Sequence, residues 1–238
     1  MSFLPSSRSK LTMQSAWRFP GDTLFDKVAR VVCRAECLPR KELYESWEVA
    51  RRTRRRFRGG RVVDLACGHA LVSHLLLLLD ERSERAIAVD TRIPESAAKL
   101  SALLCEAWPR LAGRVELVEA PLEGVPLQPD DLVVSAHACG TLTDRILARA
   151  IEASARVVVL PCCHDHAACD AGGLGGWIDP ALAIDVTRAA RLRAHGYAVR
   201  TQTIPESITP KNRLLFGDPR SASGRPEGGA GGLGVDDA

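Results

Sequence analysis

The chain has 238 residues, 46% hydrophobic and 26% charged, with a formal charge of +3. That balance supports a sizeable core and excludes wholesale disorder and a uniformly basic nucleic-acid coat. Residues 75–79 are the greasiest run and far too short to span a bilayer, so no membrane partner is expected. No charged stretch leads into an apolar run and a small-residue cleavage site near the start. The expected compartment is therefore the cytoplasm, with the eight cysteines reduced.

Residues 1–20 are polar and without period. A helix is predicted over 22–37, with Phe25, Val28, Ala29 and Val32 as its apolar stripe and Leu38-Pro39 as its stop. A second helix over 41–57 places Leu43, Trp47, Ala50 and Phe57 on one side. Glu42, Glu45 and Glu48 fill its first half and arginines its second, an order that suits the helix dipole and lets Glu48 pair with Arg52. Gly59-Gly60 ends it, so residues 1–58 read as an N-terminal helical extension.

Strands and helices then alternate. Strands are predicted at 61–67, 85–90, 114–119, 131–136 and 156–160, with helices at 70–79, 94–108 and 141–153. A glycine-rich stretch at 172–176 precedes a helix over 180–194 and two strands, at 197–204 and 213–217. Short connections imply an α/β, doubly wound, mostly parallel sheet over residues 59–217, with one of the last two strands antiparallel. From residue 218 the composition predicts a disordered tail.

Ligands of such sheets sit beyond the carboxyl ends of the strands, beside the first one. There the chain reads Asp64-Leu65-Ala66-Cys67-Gly68-His69-Ala70, small residues that let backbone approach a ligand. Asp90 ends the second strand about twenty residues on, where a carboxylate suits a ribose diol. Leu71 departs from a nicotinamide fingerprint, and a phosphate-binding Gly-Lys-Ser/Thr loop is absent.

These residues resemble the first two motifs of class I S-adenosylmethionine-dependent methyltransferases, with Ala66 and Ala70 where that family has glycines. The resemblance implies a seven-stranded sheet with an antiparallel last strand, and S-adenosylmethionine as cofactor. It implies that Asp64 and the backbone of Ala66, Cys67 and Gly68 hold the methionine end. Asp90, with Thr91 beside it, would take the ribose, and Pro121 and Leu122 would flank the adenine.

The fourth and fifth strands should be neighbours. They run into His137-Ala138-Cys139-Gly140-Thr141-Leu142-Thr143-Asp144 and into Pro161-Cys162-Cys163-His164-Asp165-His166, followed by Cys169. This pairing of loops resembles a methyltransferase branch that includes tRNA ribose 2′-O-methyltransferases, over residues 61–217, and implies RNA as an acceptor. Three chemistries fit the cluster. His137 or Asp144 could orient or deprotonate an acceptor. Cys139 or Cys162 could be a nucleophile toward cytosine carbon 5. Some of Cys139, Cys162, Cys163, His164, His166 and Cys169 could hold zinc, although adjacent Cys162 and Cys163 suit that poorly. The cysteines could also be plain pocket wall.

His137, Cys139, Asp144, Cys162 and His164 are taken as the acceptor-side candidates, and no residue is assigned to a metal. Arg51, Arg52, Arg54, Arg55, Arg56 and Arg58 form a strip that could grip RNA phosphates or be a solvated helix end. Residues 172–176 with Trp177 could be a lid. The expected function is methyl transfer to RNA. The alternatives are a small-molecule or protein acceptor and a non-catalytic sensor.

Overall fold

The computed structural model describes residues 3–219. The strands are β1 (Val62–Leu65), β2 (Ala86–Asp90), β3 (Val115–Glu119), β4 (Leu132–Ser135), β5 (Arg156–Val159), β6 (Ala198–Thr203) and β7 (Arg213–Asp218). The helices are α1 (Leu24–Ala35), α2 (Arg40–Arg56), α3 (Leu71–Leu79), α4 (Glu95–Ala107), α5 (Thr141–Glu152) and α6 (Pro180–Ala194). Every predicted element is present within two residues of its expected ends. The expected tail lies outside the described residues beyond 219.

The strands form one seven-stranded sheet in the order β3-β2-β1-β4-β5-β7-β6. β1 pairs in parallel with both β2 and β4, so the winding reverses between β1 and β4 and opens a crevice at their carboxyl ends. β7 is antiparallel to β5 and to β6. The short β6–β7 connection leaves no room for a crossover helix, which forces this reversal.

Alternation along the strands sorts the core into two layers. Val62, Val134 and Val158 face the side of α3 and α4, whereas Val63, Val133 and Val157 face α5 and α6. α3 is buried around nearly all of its circumference, Ser73 and His74 included, because it is covered twice, by the sheet and by α2. Each of its fully buried leucines contributes about 2 kcal/mol.

The N-terminal segment is continuous with this layer. Leu11, Phe19, Val28, Val32 and Leu43 belong to the same buried cluster as Leu75, Leu100 and Leu104. Thr23 caps α1 by accepting from the Asp26 N–H (3.2 Å). α2 thus reaches across α3 toward the crevice, where Leu38, Glu42 and Ser46 line a cavity beside the end of β1.

Candidate active site

The loop after β1 carries the cofactor side. Ala66, Gly68 and Ala70 all have left-handed backbone, with φ of 60°, 53° and 57°. These are the three positions where the resembled family has glycine, so the backbone path is kept while two alanines bear the strain. That strain is about 1 kcal/mol per residue. A Cβ on Gly68 would meet nothing within 4 Å, so the space above the loop is open. The Gly68 N–H donates to Asp90 Oδ2 (3.0 Å), which fixes the end of β2 against the end of β1. Asp64 is 1% exposed and accepts from the Ser73 hydroxyl (2.8 Å). Burial pushes its carboxyl up to about 7.

Two cavities meet at Ala66. One, of about 30 Å³, is walled by Asp64, Cys67, Gly68 and His137, with Glu42 and Ser46 of α2 closing it from above. The other, of about 130 Å³, is lined by Asp90, Thr91, Pro121, Leu122, Leu142 and Arg145. The donor set fits S-adenosylmethionine. Asp64 and Glu42 suit a cationic ammonium and Asp90 suits a ribose diol, while the Cys67, Gly68 and Ala70 N–H groups donate within the protein to the Val89 carbonyl, Asp90 and the Cys67 carbonyl. Pro121, Leu122 and Leu142 make an apolar slot for a base. Glu42, Ser46, Leu142 and Arg145 are additions that the strand-end motifs did not point to. Glu42 was legible only as a dipole-complementing acid, because its meeting with β1 depends on how α2 packs.

On the acceptor side the loops after β4 and β5 do come together. Cys139 and Cys163 form an isolated bridge, the Gly140 N–H donates to the Cys163 carbonyl (3.2 Å), and Cys139 Sγ lies 3.1 Å from Cys162 Sγ. His137 is half-buried in the wall of the smaller cavity.

Asp144 and His164 have other partners. The Asp144 carboxylate accepts from Arg188 Nε and Nη2 (both 2.8 Å), a bidentate pair that anchors α5 to α6. The His164 side chain is buried with Nε2 2.8 Å from Asp185 Oδ1, and Asp185 also accepts from Arg213 (2.7 Å). Neither side chain lines a cofactor cavity, and through these partners each holds its loop against α6.

Burial raises the Cys162 thiol well above its ordinary range and raises Cys139 as well. This counts against either as a free thiolate nucleophile.

A groove of about 470 Å³ lies between α6 and the β6–β7 edge, with Pro161 in its lining. Leu182, Val186, Ala189, Leu214 and Leu215 make it largely apolar, with Asp185 and Arg213 among its polar lining. His137 and Pro161 stand level on neighbouring strands, each two residues past the paired Ser135 and Val159. The expected lid is not over this groove. Residues 174–176 form a single 3-10 turn, Trp177 is 87% exposed, and residues 172–177 line neither the groove nor the cofactor cavities.

The arginine strip is mostly committed to the fold. Arg54 is 2% exposed, donates to the Leu76 carbonyl (3.0 Å) and the Ser83 hydroxyl (2.8 Å), and pairs with Asp80 (3.2 Å), so it cannot reach a phosphate. Arg51 and Arg52 both donate to Glu48 (2.7 and 2.9 Å), and Arg58 donates to the Leu79 carbonyl (3.0 Å). Arg55 and Arg56 are exposed. His74 is the satisfied core histidine that its leucine-rich helix suggests, bonded to the Ala70 carbonyl and the Ser101 hydroxyl, with burial pulling it down to about 4.

Comparison with known proteins bears on the fold and the family. Among solved structures, an O-methyltransferase family protein from Burkholderia thailandensis is similar at 17% identity and a TM-score of 0.50. That likeness covers 87% of this chain and 63% of that one, so the chain spans less than two thirds of that protein's length. A precorrin-6y C5,15-methyltransferase from Geobacter metallireducens is similar at 16% identity and a TM-score of 0.47, covering 72% of this chain and 85% of that one. At 17% identity the first of these likenesses shows the fold alone. No curated protein matches the sequence. A family described as a methyltransferase domain matches residues 41–170, from the second residue of α2 through both acceptor-side loops. With more than half its length matched, the chain belongs to that methyltransferase family.

Proposed function

We propose that this S-adenosylmethionine-dependent methyltransferase acts on a small, largely apolar acceptor that carries one nucleophilic heteroatom. The observation that carries this reading is the groove between α6 and β7, whose lining includes Pro161, level in register with His137. Its size and apolar lining match a compact ligand rather than a polyanion.

When bound, S-adenosylmethionine supplies an electrophilic methyl on a sulfonium. The chain's own residues then have three tasks. Asp64 and Glu42 neutralise the cationic methionine end. Asp90, tied to the Gly68 N–H, fixes the ribose and so the direction in which the methyl points. His137 sits at the junction of cavity and acceptor loops, where it can take the acceptor's proton or orient its lone pair. Transfer to a positioned heteroatom needs mainly in-line proximity, and this arrangement offers it without an activated cysteine.

RNA as acceptor is the second reading. The exposed Arg55 and Arg56 favour it, as does the resemblance of the His-x-Cys-Gly and Cys-Cys-His loops.

The test is methyl transfer from labelled cofactor to a panel of small phenols, amines and thiols, with total RNA in parallel, using the native chain and Val186→Arg. Val186 is exposed and lines the groove. Label in a small product that Val186→Arg abolishes supports the reading. Label in RNA, unaffected by Val186→Arg and lost in Arg55→Glu/Arg56→Glu, replaces it with the second.

A further inference from the structure

Three thiols converge at the mouth of the acceptor side. The ligand atoms of Cys139, Cys162 and Cys163 all lie within 4.8 Å of one another, the one such group of three or more His, Cys, Asp or Glu among the described residues. A tetrahedral zinc has zinc–sulfur bonds of about 2.3 Å, which places its sulfurs ~3.8 Å apart. Cys139 and Cys162 Sγ are 3.1 Å apart and all three sulfurs lie within 4.8 Å of one another, so small side-chain shifts bring them to that spacing. The sulfurs converge because the backbone holds them there. The Cys139–Cys163 bridge aligns the two loops, and Gly140, with φ of 55°, turns the first one back into α5. Adjacent Cys162 and Cys163 thereby reach one point, which their neighbouring positions in sequence do not suggest.

We propose that Cys139, Cys162 and Cys163 form a zinc site with three protein thiolates and a fourth position open to an exogenous ligand. The other candidates are placed elsewhere. His164 is held by Asp185, and Cys169 accepts from Arg188 Nη2 (3.6 Å). Cys139 and Cys163 are exposed, so the fourth position opens to solvent at the carboxyl ends of β4 and β5. Sulfur-only ligation selects a soft or borderline ion, and an open fourth position is the pattern of a zinc that takes water or a substrate group. On binding, three S–H bonds break, three zinc–sulfur bonds form and three protons leave to solvent. No electron is transferred. The site stands independently of the acceptor proposed above, since its ligands are outside the groove and both cofactor cavities.

The test uses the full chain under reducing conditions, loaded with zinc or with cobalt(II) and freed of excess metal. Stoichiometric zinc and intense sulfur-to-cobalt charge-transfer absorption are expected. Cys139→Ser and Cys163→Ser should each weaken zinc binding by ~100-fold or more, beyond the loss typical of an outer-shell residue. His166→Ala should leave it unchanged. Native-chain alkylation needs no variant. Zinc should protect Cys139, Cys162 and Cys163 together. Equal alkylation with and without zinc overturns the proposal. So does full zinc retention in the Cys139→Ser/Cys163→Ser double variant, or a Cys139–Cys162 disulfide as the reduced-buffer state.

Discussion

The crevice has two halves, and they are built differently. On the β1–β2 half, the strand-end groups read from the sequence as cofactor contacts, Asp64, Gly68 and Asp90, line the cavities there, and the bond from the Gly68 N–H to Asp90 ties two of them together. On the β4–β5 half, the same kind of strand-end position is occupied by side chains whose roles depend on where α6 packs. Asp144 and His164 stand at positions as promising as Asp64 and Asp90, yet Arg188 and Asp185 claim them. A strand end reliably supplies a ligand contact where backbone geometry dictates it. Where a long side chain from another helix can reach, the same position becomes a strut.

The largest effect separates strut from surface within a single helix. Arg54→Ala leaves Asp80 buried without its guanidinium and should cost about 3–5 kcal/mol in chemical denaturation. Arg55→Ala, two atoms of backbone away on the exposed face, should stay within roughly 0.5 kcal/mol. Equal effects would mean that the strip acts as one surface feature.

Next comes the strut on the acceptor half. Asp144→Ala should lose about 2 kcal/mol of stability, since Arg188 keeps the Gly140 carbonyl (2.9 Å) and Asp185 (3.3 Å). Its KM for the methyl donor should hold. A variant of unchanged stability with kcat reduced more than about a hundredfold, the range of a lost general base, would return Asp144 to the chemistry.

A pH effect sharpens the cofactor half. With the Asp64 carboxyl near 7 in the free protein, a cationic ligand favours its ionised form. Affinity for S-adenosylmethionine should therefore fall as pH drops below 7, by up to about tenfold per unit. Stability runs the other way. A carboxyl whose folded value exceeds its unfolded one makes the native state bind more protons between about pH 4 and 7, so stability declines as pH rises through that window. Asp64→Asn should flatten both profiles, as titration by calorimetry and denaturation at several pH values will show.

The smallest effect concerns the two strained alanines. Ala66→Gly or Ala70→Gly relieves left-handed strain but adds unfolded-state entropy, leaving a gain of roughly 0.5 kcal/mol each. A loss at either position would mean that the methyl group packs against something the loop needs.

The sequence made the fold legible because its signals are local. Alternation of short apolar strands with helical segments set the sheet, and Asp64, Gly68 and Asp90 follow from where strands end. What stayed hidden is non-local. Glu42 reaches the crevice only because α2 lies over α3, whose residues 71–78 are all buried. The buried Arg54 looked like its exposed neighbours because a charge run carries no sign of which member faces Asp80. The convergence of Cys162 and Cys163 required the bridge to Cys139, which pairs residues 24 positions apart.

The most direct measurement of the central claim is calorimetric titration of S-adenosylmethionine into the native chain and into Asp90→Ala at pH 7.5. The account predicts saturable binding by the native chain. It also predicts a loss of about 1.5–3 kcal/mol in Asp90→Ala, the worth of hydrogen bonds to a charged group, in a variant that still unfolds cooperatively, with its midpoint lowered only by the lost bond to the Gly68 N–H. Native-like affinity in Asp90→Ala, or no binding by the folded native chain, would contradict it.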